Sequence, residues 1–557
     1  KLTCLGLQKE LSGGRPGLVS REGVFILFPG RHGKWYPRLV LQGKTPLLYG
    51  IEVNSLKLKV PKDWRIASGF EIKEEAPGIF SLDPKQLLKW RDHIFAAPYI
   101  SVSRVTEGGE KVEVFLFEDH GIELAEQVAQ EMKDILDVYT ELYGPPPRKR
   151  LILAEVPTPE QAGYTWFGFI PMDRTGLEDP FDPEGRLNYL SHEIAHLWNP
   201  MPGGQWPNEG FATYSQALFI EKKRGREAMR RYMSERIRYP YFAAVAEARP
   251  GSERPLSEAD RLWKNELRYP VVYLKAASFF HILRFVIGDD AFFSAWRDMR
   301  EFLKEKEADL ENFKLCFEKH FGKPLGWLFE EWIERPGAPE YSLEYEVERR
   351  GELFIVTGRL KQLRGFYRTP VEIAAISGNR VEKRVIRPKS SDHRFTWRFN
   401  FKPERIVLDP DGWLLRWDSP EGRKATERAK RRLSNYYLKP PPEELFDNSP
   451  EGVAKRFFTD LIFGRYADMA SLLAPDFKYE GEKIPDEDAR ADLMRRLALI
   501  PYAGQVVKLL KVERTSLKGD SSEVMCVVRL LNGGVARHTL KLRKRGERWL
   551  IKGGLWR

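Results

Sequence analysis

Asn188-Tyr-Leu-Ser-His192-Glu193-Ile-Ala-His196-Leu-Trp-Asn-Pro200, running on to Trp206-Pro-Asn208-Glu209-Gly-Phe-Ala-Thr-Tyr214, is the segment from which the rest of the chain is best understood. His192 and His196 stand four residues apart, so on a helix both imidazoles leave the same face, one turn above the other. Asp182 suits the N-cap of such a helix, Pro183 its first position and Pro200 its end. Neutral imidazole is a good zinc ligand, and a catalytic zinc takes three protein ligands plus an open position for water. Glu193, next to the first histidine, can lean over that water as a base.

With nine histidines in the chain, a His-Glu-x-x-His pentad arises by chance in roughly one per cent of chains of this length, so its surroundings matter. Two histidines leave a catalytic zinc one ligand short, and Glu209 follows His196 by thirteen residues. Asn208 is a candidate cap for a second helix whose first turn presents the Glu209 carboxylate to the first. The competing reading of Asn208-Glu209-Gly210 is a capped helix with a solvated glutamate.

The pair His-Glu-Ile-Ala-His-Leu-Trp and Asn-Glu-Gly-Phe-Ala-Thr-Tyr resembles the signature of the aminopeptidase N family of gluzincin metallopeptidases. The resemblance implies one zinc ion held by His192, His196 and Glu209, with Glu193 as general base and acid. Twelve residues separate His196 from Glu209 against about eighteen in the family, so the intervening loop, with Pro200, Pro202, Gly203 and Gly204, is shortened. Tyr273-Leu-Lys-Ala-Ala resembles the family's Tyr-Glu-Lys-Gly motif and implies that Tyr273 donates to the oxyanion of the tetrahedral intermediate. The plainer reading is that Tyr273 opens an apolar helix through Phe280, Leu283 and Ile287 that ends at Gly288.

One family landmark is missing. The exopeptidases carry Gly-x-Met-Glu-Asn, whose acid grips the substrate's amino group; the counterpart here, Gly163-Tyr-Thr-Trp-Phe-Gly-Phe-Ile170, has no carboxylate. An ammonium buried without a counter-charge is costly. Asp173, Glu178 or Asp179 could replace it, or the chain cuts other ends or bonds.

Length and alternation give a multidomain α+β chain. Residues 1–113 alternate β-rich runs (Gly23–Phe28, Leu56–Pro61, Val112–Leu116) with turns and form an N-terminal β domain, incomplete at its start. Residues 114–339 hold a helix over Gly121–Tyr143, a strand over Leu151–Val156, the two histidine and glutamate helices and charge-rich helices over 222–239 and 291–335. This is the order of a thermolysin-like catalytic domain, with Trp327 and Trp332 as core anchors. Residues 340–418 switch to period two and predict a β-sandwich of immunoglobulin type. Residues 419–448 are a basic helical linker, and 449–557 give helices and then strands (Val506–Val512, Glu523–Leu531, Ala536–Leu542, Trp549–Ile551). That order is similar to the α+β cone of ketosteroid isomerase-like and nuclear transport factor-like proteins, and implies an accessory binding or dimerising domain.

The net charge of +11 is spread along the 557 residues, so nucleic acid is not indicated as a partner, and the expected partner is a peptide or protein substrate. A charged fraction of 31% suits a surface laced with ion pairs. Cys4, Cys316 and Cys526 fall in different domains and imply no disulfide framework. Apolar runs such as Phe279–Ile287 are too short for a bilayer span, so no transmembrane segment is expected in this chain. The first residue is Lys, which leaves open an upstream signal or anchor and leaves the compartment unassigned. Two functions remain: a zinc metallopeptidase of aminopeptidase-like kind, or a catalytically silent gluzincin relative acting as a protein-binding scaffold.

Overall fold

The computed structural model describes residues 18–21, 24–27, 56–69, 72–82, 94–156, 165, 168–178, 184–199, 205–249, 251–262, 267–417, 446–462, 466–479, 482–484, 486–498, 506–530 and 535–554. The expected cap and stop at Asp182, Pro183 and Pro200, the shortened loop, most of the basic linker and Cys4 lie outside them. The chain is a multidomain mixture of helix and sheet, and it clusters into two compact units: Lys1–Lys133, Arg148–Tyr189 and Leu438–Arg557 in one, Asp134–Pro147 and Leu190–Tyr437 in the other.

In the first unit, Arg65–Ser68 pairs antiparallel with Ile94–Ala97 in a four-stranded sheet completed by Val24–Leu27 and Leu18–Arg21. A three-stranded sheet is formed by Leu56–Lys59, Ile79–Leu82 and Ile72–Ala76. A third sheet runs in the order Phe169–Met172, Arg150–Glu155, Lys111–Phe117, Tyr99–Val105, with the first three strands parallel. The boundary expected after residue 113 falls inside the strand Lys111–Phe117, which hydrogen-bonds to neighbours on both sides. Phe95, Tyr99, Phe115, Phe117, Ile152 and Phe169 share one buried cluster. That burial explains the apolar run Leu151–Val156: a strand with parallel neighbours on both sides is covered on both faces.

Within Leu438–Arg557, helices Pro450–Ile462, Tyr466–Ser471 and Glu487–Ala498 accompany an antiparallel four-stranded meander, Val506–Lys518, Ser521–Leu530, Val535–Arg545 and Arg548–Gly553. Phe457, Phe458, Phe477, Val524, Cys526, Val528, Leu540 and Ile551 close a core of their own. Alternation puts Val524, Cys526 and Val528 on one face of their strand, as period two requires.

The residues of the site lie within the second unit's ranges, and two of the helices around them begin before those bounds. Helix α1, Ile122–Tyr143, begins after Gly121, whose φ of 81° only glycine adopts freely. Helix α2 is Gly185–Ala195, with His196–Trp198 following as a 3-10 turn, and helix α3 is Gln205–Arg224. Pro270–Lys275 is a π-helical turn that runs directly into helix α4, Ala276–Ile287, which ends at Gly288 as its sequence predicts. By length and composition Pro270–Ile287 is apolar enough to cross a membrane, but 83% of it is buried inside the fold, which is the setting of a core helix. Its Phe280 meets Phe211 and Phe313 edge to face in a cluster with Phe292, Trp296 and Phe317, and Phe211 and Trp296 approach to 4.0 Å between centroids.

The period-two region forms two three-stranded antiparallel sheets. One is Tyr341–Arg350, Leu353–Gln362 and Asp392–Phe399; the other is Arg380–Ile386, Val371–Ser377 and Arg405–Leu408. His393, expected in a turn, lies in a strand opposite Leu360, because Asp392 already pairs with Lys361. Trp332 is fully buried as an anchor, its Nε1 donating to Thr369 Oγ1 at 2.7 Å. Glu331 beside it is buried and accepts from the backbone of Arg368 and Thr369.

Candidate metal centre

Helix α2 is fastened before it presents its histidines. Near its start Arg186 makes a two-pronged ion pair with Glu131, both bonds at 2.8 Å. At its far end Tyr139 of α1 donates to the Ser191 carbonyl at 2.8 Å, and Trp198 Nε1 donates to the Gly144 carbonyl. Tyr143 of α1 and Ser215 of α3 share a buried hydrogen bond at 2.9 Å. Helix α1 and the Gly144 that follows it thus tie down both α2 and α3.

On that frame His192, His196 and Glu209 converge. His192 Nε2 and Glu209 Oε2 are 3.2 Å apart, and His196 Nε2 is 3.6 Å from the same oxygen. For ligand bonds of about 2.0–2.2 Å, donor atoms on one tetrahedral zinc stand roughly 3.3–3.6 Å from each other. The two imidazoles lie edge to face, centroids 4.9 Å apart at 85°. Glu193 is buried, and donor atoms of His192, Glu193 and His196 all fall within 4.8 Å of one another.

Both rings have further hydrogen-bond partners. His196 Nδ1 meets Asn208 Oδ1 at 2.8 Å, and Asn199 Nδ2 donates to the same oxygen at 2.6 Å, which orients the Asn208 amide. With its proton on Nδ1, His196 turns a lone pair from Nε2 toward the Glu209 carboxylate. Two acceptors facing each other at 3.6 Å repel unless a cation lies between them, and here the donor set fits a divalent metal. Gln216, two turns further along α3, hydrogen-bonds the His192 ring.

Without a metal, protons carry part of this burden. Burial pushes the His192 imidazole down, but the Glu209 hydrogen bond and the Glu193 charge outweigh it and hold His192 above the ordinary histidine value. Burial, then the charge on His192, keeps His196 below that value. Burial also raises Glu209, yet the His192 hydrogen bond and the charges of His196, His192 and Arg268 bring it below the usual carboxylate range.

Tyr273 sits on the π-helical turn with its ring stacked on His192, centroids 6.0 Å apart at 20°. Tyr269 flanks it at 5.0 Å, and the Arg268 guanidinium lies 5.8 Å from the ring centre. Burial, followed by the Glu209 charge, pushes the phenol up to about 12 against the pull of Arg268. It is a hydrogen-bond donor throughout the neutral range.

Asn208 is not the helix cap expected from the sequence. Helix α3 starts earlier, at Gln205, with Pro207 in the first turn, where a missing N–H breaks no hydrogen bond. Asn208 is therefore free to orient His196. Gly210 also has a reason that the sequence reading did not give: a Cβ there would come within 2.3 Å of the Ala276 Cβ. The absent side chain lets α3, with Glu209, lie directly against the segment that carries Tyr273. Of the substitutes considered for an amine-binding acid, Asp173 is buried and Glu178 Oε2 lies 2.7 Å from His120 Nδ1; Asp179 is outside the described residues.

No protein-family model and no curated protein matches the chain. Among solved structures it is similar to Legionella pneumophila aminopeptidase A in complex with aspartic acid, with a TM-score of 0.51 and 15% sequence identity. The match covers 86% of this chain and 60% of that one, so the chain spans less than two thirds of its neighbour's length. At that identity the shared property is the fold alone.

Proposed function

We propose that the chain is a zinc-dependent metallopeptidase of the aminopeptidase N-like, gluzincin kind, hydrolysing peptide bonds. The observation that carries the reading is the convergence of two histidine Nε2 atoms on one Glu209 oxygen, with Asn208 directing the lone pair of His196 inward. His192, His196 and Glu209 would hold one zinc ion. That ion supplies Lewis acidity, lowering the pKa of a water toward about 7 and polarising the substrate carbonyl. Glu193 takes the proton of the attacking water and returns it to the leaving amine. Tyr273, protonated and poised beside His192, donates to the oxygen on which negative charge develops. The fold likeness to an aminopeptidase supports the reaction class; the missing acid in Gly163–Ile170 leaves the end of the peptide to experiment. The C-terminal helices and meander, similar in order to the ketosteroid isomerase-like cone, would serve as an accessory binding or dimerising domain.

The test is a panel of fluorogenic amino-acid amides set against an internally quenched peptide library, with Glu193→Gln as blank and zinc content measured on each sample. Cleavage of the amides alone identifies an aminopeptidase, and cleavage of the library an endopeptidase. Stoichiometric zinc without any turnover, or no zinc at all, favours the scaffold.

A further inference from the structure

We propose that Arg268 is a positioning residue for the hydrolysis assigned above, holding the Tyr273 phenol so that its proton points toward the developing oxyanion, a role that rests on the peptidase reading of the metal centre. Arg268 precedes Tyr273 by five residues, and its guanidinium carbon lies 5.8 Å from the centre of the Tyr273 ring. An Arg268 N–H donates to the phenol oxygen, and the Arg268 charge also reaches the Glu209 carboxylate. The guanidinium therefore stands beside both the candidate oxyanion donor and a candidate metal ligand.

The contact depends on the shape of the backbone. On a regular α-helix, residues five apart point about 140° away from each other. The π-helical turn Pro270–Lys275 closes i→i+5 instead, which brings Tyr273 round to Arg268 and to Tyr269, whose ring centre is 5.0 Å from its own. Leu267 and Pro270 are buried on either side of this pair and anchor the start of the turn, while Arg268 is half-buried and Tyr269 exposed. Such turns collect at functional sites, and this one lets a side chain support another that a straight helix would hold apart.

A phenol oxygen has one proton to give and lone pairs to accept with. Once a guanidinium N–H occupies a lone pair, the hydroxyl proton is turned away from Arg268 and the O–H bond is polarised, so that it donates more strongly. Deleting the guanidinium leaves the ring stacked on His192 but frees the hydroxyl to rotate. A role in packing alone would act on the ring and would persist when the hydroxyl is gone.

That difference is read by a double-mutant cycle on the zinc-loaded full chain: parent, Arg268→Met, Tyr273→Phe and the double variant. Each is titrated calorimetrically with a phosphinic peptide, whose tetrahedral anion mimics the intermediate, and assayed on the fluorogenic substrates. Arg268→Met should weaken the phosphinic peptide and lower kcat by about 10-fold each, with KM nearly unchanged, and should cost nothing further in the Tyr273→Phe background. Zinc content and the melting temperature without metal should be the same in all four; if Arg268→Met does not fold, Arg268→Gln takes its place in the cycle. Full phosphinic-peptide affinity in Arg268→Met, or an equal loss in both backgrounds, overturns the positioning role while leaving the peptidase reading intact. A parent chain that binds neither zinc nor the phosphinic peptide overturns both.

Discussion

Asn208 Oδ1 stands 2.8 Å from Nδ1 of His196, and this hydrogen bond decides which ring nitrogen faces Glu209. Replacing it by alanine leaves the three donor side chains in place but frees the imidazole to rotate and change tautomer. Such partners of a ligating histidine typically contribute about 10–100-fold in metal affinity. Asn208→Ala should therefore bind zinc 10–100-fold more weakly, read by competition with a chromophoric chelator, while its melting temperature without metal changes little. Unaltered zinc affinity in this variant would remove Asn208 from the site.

Gly210 and Ala276 offer a test of the helix contact that brings Glu209 and Tyr273 together. A Cβ at 210 would overlap the Ala276 Cβ at 2.3 Å, so Gly210→Ala should destabilise by about 1–3 kcal/mol through overpacking. The double variant Gly210→Ala with Ala276→Gly removes the overlap and should recover much of that loss. Denaturant midpoints for the four members of the cycle give the coupling directly, and additive losses would mean that the two helices tolerate separation.

Tyr273→Phe keeps the ring that stacks on His192 and deletes the one atom assigned to the developing oxyanion. On the peptidase reading, kcat should fall by about 10²–10³ with zinc content unchanged and KM nearly so. A variant that loses zinc along with activity would instead give the phenol a structural role.

The residues that bond through side chains at fixed sequence spacing were the legible part of this chain. Two histidines four apart on a helix share a face whatever surrounds them, and the helices, the six-stranded region after residue 340 and the C-terminal meander follow equally local periodicities. Asn208 misled because Asn is a good cap, while Pro207 just before it fits inside a first turn equally well; only the packed structure chooses. The π-helical turn at Tyr273 carries no sequence signature, since an i→i+5 turn is held by its neighbours rather than by propensity. Helix Glu487–Ala498 was missed because its arginines and aspartates dilute the apolar spacing; Leu493 and Met494 are buried among its described residues. Gly210 was invisible for the same kind of reason: its constraint is an atom 66 residues away.

Lys275, on the same turn as Tyr273, makes a pH prediction. Its side chain is fully buried, Nζ donates to the Arg335 carbonyl at 2.7 Å, and Glu253 lies 3.7 Å away. Burial pushes the ammonium down to about 8 from 10.5, only partly offset by Glu253. Between those two values the unfolded chain binds a proton that the folded chain does not, so this residue adds stability as pH rises through the window. The contribution is fully present above the unfolded value and lost as pH falls through the folded one. Lys275→Met has no such proton. The stability of the parent relative to this variant should therefore climb between about pH 8 and 10.5, by a quantity on the order of 3 kcal/mol. Paired thermal melts at half-unit pH steps read the difference, and other titrating groups cancel because both proteins share them. A flat difference curve would show that Lys275 stays charged inside the fold, with Glu253 and the Arg335 carbonyl sufficing as its solvent.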